Sequence, residues 1–281
     1  MFKSIHSKAL QAMFVCAALG VAGNASAVDI ARWSFNSLNA GPDNTPAATT
    51  DLTTASATQL GMTNSYNGGS NVAACDVLNT PGNTDPLGIA AGSNAWRIRA
   101  TGANGWALAA PQYTQGAEFD VSTVGFSSIV LSFDFFSTTQ GIRDLQVQYN
   151  TNINNANGWT NFAGSFAGNV ATEQDATHSF TQLVATSNNW NFTATTTSNV
   201  INFATNGIGG VSNDANFGVR LVSAYDPSLG QYGSAAGGVY NNTSGNWRFD
   251  QIAVQGSAVP EPASIAVLAV GFAAALRKRR K

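Results

Sequence analysis

Ile129-Val130-Leu131-Ser132-Phe133-Asp134-Phe135 alternates between two environments: Ile129, Leu131, Phe133 and Phe135 fall on one side, Ser132 and Asp134 on the other. A period of two is the signature of a strand with one face in a core. Leu145-Gln146-Val147-Gln148-Tyr149 repeats the pattern, with both glutamines on the wet face. Phe217, Val219 and Leu221 alternate with Gly218, Arg220 and Val222, and Trp247 and Phe249 open a last strand that continues to Ile252 and Val254. Shorter strand candidates lie at 30–35, 95–100, 117–121, 159–163, 179–185, 190–194 and 200–204. No stretch between residues 28 and 258 sustains a 3.6-residue apolar period. Asn, Gly, Ser, Thr and Pro fill the gaps, and the 28 Asn in that span supply residues that tolerate turn conformations. Residues 40–93 are the least patterned and are expected to form long loops with one or two short strands. No fixed repeat is present, which argues against a solenoid or propeller. The expectation is an all-β fold, a single antiparallel β-sandwich over residues 28–258.

Charge is distributed unevenly. The 281 residues carry 13 Lys and Arg against 15 Asp and Glu. Lys3 and Lys8 stand near the start, and Arg277-Lys278-Arg279-Arg280-Lys281 closes the chain. Between these ends six Arg face all fifteen acids, with no Lys. No basic stripe is left to neutralise phosphates, so nucleic-acid binding by the body is excluded. Two Cys and two His exclude a zinc site made by one chain and a multi-disulfide scaffold.

Residues 1–27 have the three parts of a secretory signal. Lys3 and Lys8 give a positive start, residues 9–22 an apolar run, and Ala25-Ser26-Ala27 the small residues that a signal peptidase reads. The expectation is export through the secretion machinery with a mature chain starting at Val28. That removes Cys16 and leaves Cys75 as the lone mature thiol.

At the other end, Val259-Pro260-Glu261-Pro262 precedes fourteen residues without a charge, 263–276, and then the five cations. As a helix the apolar run spans about 21 Å, short of the ~30 Å hydrocarbon core. Its flanks nevertheless read as a membrane segment. A basic end holds the cytoplasmic side, Arg277 can snorkel, and Pro262 suits a first helical turn.

This tail resembles the PEP-CTERM sorting signal of Gram-negative bacteria: a Pro-Glu-Pro motif, a short membrane helix and an Arg-rich terminus in fixed order. The resemblance implies recognition of Pro260, Glu261 and Pro262 by an exosortase, a membrane protease that cuts near the motif. It also implies a membrane intermediate, final placement at the cell surface or in the extracellular matrix, and a link to exopolysaccharide and biofilm. Trp33-Ser34-Phe35 and the closing Trp247-Arg248-Phe249-Asp250 strand are similar to those of many PEP-CTERM proteins. That second likeness implies a jelly-roll body of the carbohydrate-binding type, with its first and last strands adjacent in one sheet.

Few residues in the body suggest chemistry. His178, the one His after signal removal, has no nucleophile elbow around it. Glu118/Asp120 and Glu173/Asp175 are carboxylate pairs at a spacing that puts both acids on one sheet face. Some sandwich-fold glycan hydrolases carry Glu-x-Asp-x-x-Glu on one strand, whereas this chain has Thr123 where the last acid belongs. The body is therefore expected to be non-enzymatic. Asp29 and Asp250, on the first and last strands, are the candidates for a structural Ca²⁺, set against an Asp250 that pairs with Arg248 or caps a turn. Trp106 and Trp159 each follow Asn-Gly, where an indole can stack on a sugar ring, and are the candidate glycan contacts. Two roles stand for the body: acidic, soluble bulk in an extracellular polymer layer, or a module that recognises a matrix glycan through Trp and Asn side chains.

Overall fold

The computed structural model describes residues 27–35, 45–61, 75–77, 94–98, 106–163, 182–184, 189–192, 200–241 and 245–260. Residues 1–26 of the signal segment, Glu261 and Pro262 of the sorting motif, the run 263–276, the basic tail, Glu173, Asp175 and His178 lie outside them. No helix occurs among the described residues.

Among the described residues fourteen strands form two antiparallel sheets. The eight-stranded sheet has the path β11 (Asn189–Phe192), β7 (Phe126–Ser137), β14 (Trp247–Ala258), β1 (Val28–Trp33), β2 (Thr50–Asp51). To it are added β12 (Ile201–Asn202) on β7, and β5 (Asn94–Ile98) on β14 with β4 (Cys75–Val77) beyond. The six-stranded sheet runs β10 (Gln182–Val184), β8 (Asp144–Asn150), β13 (Phe217–Ser223), β6 (Gly116–Val121), β3 (Ala55–Leu60), with β9 (Thr160–Asn161) also on β8.

The core faces of the alternating segments land where a period of two puts them, but Gln146 and Gln148, expected on the wet face of β8, are both buried. Ile129, Leu131, Phe133 and Phe135 of β7 and Trp247, Phe249, Ile252 and Val254 of β14 are buried in one core with Phe119, Val147, Val219 and Leu221 of the other sheet. The core face of β14 passes from odd to even numbers because Gln251, at φ 48°, occupies a bulge where the β7 register shifts between Asp250 and Ala253. Aromatic contacts join the sheets: Trp33 meets Phe119 edge-on at 5.1 Å, and Trp96 meets Phe119 at 6.1 Å. The expected neighbourhood of first and last strands is present, Val28 pairing with Gly256 and Trp33 with Ile252.

Among the described residues of 40–93 there are already three strands, more than the one or two expected. The longest, β3, is Ala-Ser-Ala-Thr-Gln-Leu, whose small residues give little hydropathy contrast. Its alternation emerges from pairing with β6, which buries Ala57 and exposes Ser56 and Thr58.

Candidate functional site

The six-stranded sheet carries a row of polar side chains on the face away from the core. Strand register aligns Thr58, Glu118, Arg220, Gln148 and Asn161 in one row across β3, β6, β13, β8 and β9. Ser56, Asp120, Gly218 and Asn150 form the next row. Arg220 is the hub. Its Nε and Nη2 each lie 2.6 Å from Glu118 Oε2, and its Cζ sits 3.9 Å from the centre of the Trp159 ring. A guanidinium held between a carboxylate and an indole face has little freedom left.

Gly218 explains how Trp159 gets there. A Cβ on Gly218 would lie 2.6 Å from Ile153 Cγ2, 2.8 Å from Asp120 Oδ1 and 3.0 Å from Trp159 Cη2. The loop between β8 and β9 therefore folds down onto bare backbone and delivers Trp159 to Arg220. Asn150 and Asn155 fix that loop: Asn150 Nδ2 donates to the Asn155 carbonyl, and the Asn152 N–H donates to Asn150 Oδ1.

Glu118 and Asp120 share this face, as their spacing requires. Burial, then the charge of Glu118 and a hydrogen bond with it, push the Asp120 carboxyl up to about 7. Ser56 Oγ lies 3.4 Å from Asp120 Oδ2, while Asp120 Oδ1 is buried without a hydrogen-bond partner. Gln148, only 5% exposed, donates from Nε2 to Asn161 Oδ1 at 2.8 Å, and its buried Oε1 has no partner. Sequence reasoning singled out Glu118, Asp120 and Trp159 but missed Arg220 and Gln148. Both stood among the wet-face residues of alternating strands, the one signal that marked them.

Trp106 is not a surface residue. It is fully buried, its ring centroid 4.3 Å from that of Trp247, and its backbone N–H donates to the Tyr240 hydroxyl at 2.8 Å. Its side chain is packed in the core although Ala107, Leu108 and Ala109 are exposed, so Trp106 offers no platform to a sugar. Of the two nominated tryptophans, Trp159 alone keeps part of its surface in solvent.

Asp29 and Asp250 are not brought together. Asp29 lies opposite Gln255, five positions along β14 from Asp250, a separation of about 16 Å at strand rise. Asp29 is held by Arg32 Nε at 2.6 Å and by Gln255 Nε2 at 2.7 Å. Burial would raise its pKa, but these partners outweigh it and hold the carboxyl below its ordinary value. Asp250 instead faces Asp134 across the β7–β14 pair, and its Oδ1 accepts the Gln251 N–H at 2.7 Å. Among the described residues no cluster of three or more His, Cys, Asp or Glu is placed to hold a metal ion.

The sorting motif begins where β14 ends. Ala258 pairs with Phe126, the Val259 N–H donates to the Gly125 carbonyl at 2.8 Å, and Val259 and Pro260 are exposed. Val28 pairs with Gly256, two positions before that end, so both termini of the body leave from the same end of the eight-stranded sheet.

Residues 258–281 match the family model of the PEP-CTERM protein-sorting motif. The chain thus carries a C-terminal PEP-CTERM sorting motif, which supports an exosortase-targeted protein exported to the cell surface. No curated protein matches the chain.

Proposed function

We propose that this chain is an exported, non-enzymatic surface or matrix protein with a jelly-roll body, matured at both ends. Signal peptidase removes residues 1–27. The run 263–276 then holds the protein in the inner membrane with Arg277 to Lys281 in the cytoplasm. An exosortase recognises Pro260-Glu261-Pro262 and releases the body to the surface, where it joins an exopolysaccharide or biofilm layer. The observation that carries this reading is the motif match at 258–281, with its apolar run and basic end in order.

The geometry of the body is compatible with that route. Val28 and Val259 leave from one end of the sheet, so both flanking segments can enter the same membrane without disturbing the β1–β14 pair. The exposed Val259-Pro260 step gives a protease access to chain that is not tied into a strand. A membrane span this short is marginal, which suits a temporary anchor.

The test replaces Pro260-Glu261-Pro262 with Ala in a host that has the cognate exosortase, followed by blots of membrane and extracellular fractions. The variant should insert normally and accumulate as the longer membrane form. Normal maturation would sink the reading and leave the segment an ordinary tail anchor. A second reading, in which the body recognises a matrix glycan, draws on Trp159, part of whose surface is in solvent.

A further inference from the structure

We infer that the end of the body formed by Val28, Leu52, Val124 and Val259 rests on the bilayer surface while the tail is anchored, with these four side chains among zwitterionic lipid headgroups. The inference rests on the anchored intermediate proposed above and adds a lipid contact made by the folded body itself.

The four residues come from distant parts of the chain and meet at one end of the sandwich. Val28 opens β1 and pairs with Gly256 near the end of β14. Val259 follows β14, and its N–H donates to the carbonyl of Gly125, the neighbour of Val124 in the turn between β6 and β7. Leu52 follows β2, and its N–H donates to the Ile30 carbonyl of β1. Val28 is 40% exposed, Leu52 57%, Val124 49% and Val259 46%. The strands that carry them, β2, β1, β14 and β7, are neighbours and spread over about 14 Å, so the four form a rim rather than scattered points.

Chain length limits how far this rim can stand from the membrane. Val259 is tied to Gly125, and the apolar run starts at 263, after Pro260, Glu261 and Pro262. From 259 to 263 an extended chain reaches about 14 Å, and the headgroup layer of one leaflet fills roughly 5–8 Å of that. The run is also short, about 21 Å of helix against ~30 Å of hydrocarbon. A short span draws its flanking groups toward the bilayer. On the cytoplasmic side Arg277 can snorkel. On the other side the flanking group, three residues away, is the body.

Charge at this end favours an apolar contact over an electrostatic one. Among the described residues its nearest cation, Arg32, is held by Asp29. Asp51 accepts the N–H groups of Thr53 and Ala55, and Asp214 accepts that of Asn216. Anionic lipid finds no unpaired cation on this rim, whereas Val and Leu side chains gain from burial at the headgroup boundary. Four part-exposed side chains are a weak hold by themselves. The contact therefore steadies the body beside Pro260-Glu261-Pro262 while the tail lasts and lets go once it is cut.

The test uses the full chain expressed in an exporting host without an exosortase, purified from its membranes and reconstituted into phosphatidylcholine vesicles. Cys16→Ala and Cys75→Ala remove the native thiols, and nitroxide labels are placed through Leu52→Cys or Val124→Cys. Leu108→Cys and Val239→Cys are the controls; they stand next to Trp106 and Tyr240, which lie beside Trp247 at the far end of β14. Both control positions are as open as the rim, at 44% and 48% exposure. Power saturation should give the labels at 52 and 124 a several-fold higher ratio of oxygen to nickel-chelate accessibility than those at 108 and 239. The ratio should persist in ~0.5 M salt, where surface charge is screened, and should not rise when phosphatidylglycerol is added. Equal ratios at the two ends, or a difference that needs anionic lipid, would overturn the inference. Labels at 52 and 124 shielded from both reagents would overturn it as well and assign the rim to a protein partner. Vesicle flotation is read on the same samples. A chain that does not float refutes the anchor and the inference with it, whereas a floating chain with equal ratios refutes the lipid contact alone.

Discussion

Trp106 and Trp247 meet in the core with ring centroids 4.3 Å apart and planes tilted by 58°. Trp247 completes its polar needs by donating from Nε1 to the Ile142 carbonyl at 2.7 Å, whereas the buried Trp106 Nε1 has no partner. Trp106→Ala should therefore destabilise the protein by about 3–5 kcal/mol, the usual cost of deleting a buried indole. Trp106→Phe should cost clearly less, because it keeps most of the ring and removes an unsatisfied N–H. Chemical denaturation of the two variants checks this. Equal stability of Trp106→Ala and wild type would return Trp106 to the surface.

Asp120 sets a pH dependence whose sign is fixed. Its folded carboxyl titrates at about 7 against an ordinary 3.8, so between these values the folded state holds a proton that the unfolded chain has released. Stability from this group is present at low pH, falls as pH rises through that window, and levels off above it. Asp120→Asn should raise the melting temperature at pH 8 and change it little at pH 4. Thermal melts at the two pH values measure the difference; a variant less stable at pH 8 than wild type contradicts the assignment.

Gly218→Ala should lift the loop at 151–159. The new methyl meets Ile153, Asp120 and Trp159 at 2.6–3.0 Å, all of them side-chain contacts that can give way. Overpacking of this kind costs about 1–3 kcal/mol. Trp159 should move away from Arg220, which iodide quenching of tryptophan fluorescence would register as increased accessibility.

The mature amino terminus should be Val28, the first residue of β1. Cleavage there leaves the β1–β14 pair whole, whereas a cut a few residues later would remove Asp29 and its contacts with Arg32 and Gln255. Amino-terminal sequencing of secreted material decides it, and a product that retains Met1 would defeat the export reading.

Replacing Arg277 to Lys281 with neutral residues should act earlier than changes in Pro260-Glu261-Pro262, because the cations stop translocation and fix orientation. Protease protection of spheroplasts should then find the carboxyl terminus on the periplasmic side. A terminus that stays cytoplasmic would show that the basic residues do not set the topology.

Much of the sandwich was legible in short stretches of chain. Alternation at 129–135, 145–149 and 217–222 located β7, β8 and β13 and named their core faces. These features are local: the side-chain period of a strand is two, whatever it pairs with. The tail was legible for a similar reason, since motif, apolar run and basic end are consecutive.

Pairing was not legible, and pairing decides the candidate site. Thr58, Glu118, Gln148, Asn161 and Arg220 come from five strands spread over 163 residues, and only register sets them in one row. Trp106 and Trp159 follow the same Asn-Gly dipeptide, so nothing nearby in the chain distinguishes them. Tertiary packing does: one ring enters the cavity beside Trp247, and the other is laid over Arg220 because Gly218 leaves room beneath the loop. Hydrophobic periodicity thus determined which residues face inward. The meeting of distant strands decided which outward-facing groups act together, because a row across a sheet is made by long-range hydrogen bonds that no local pattern records.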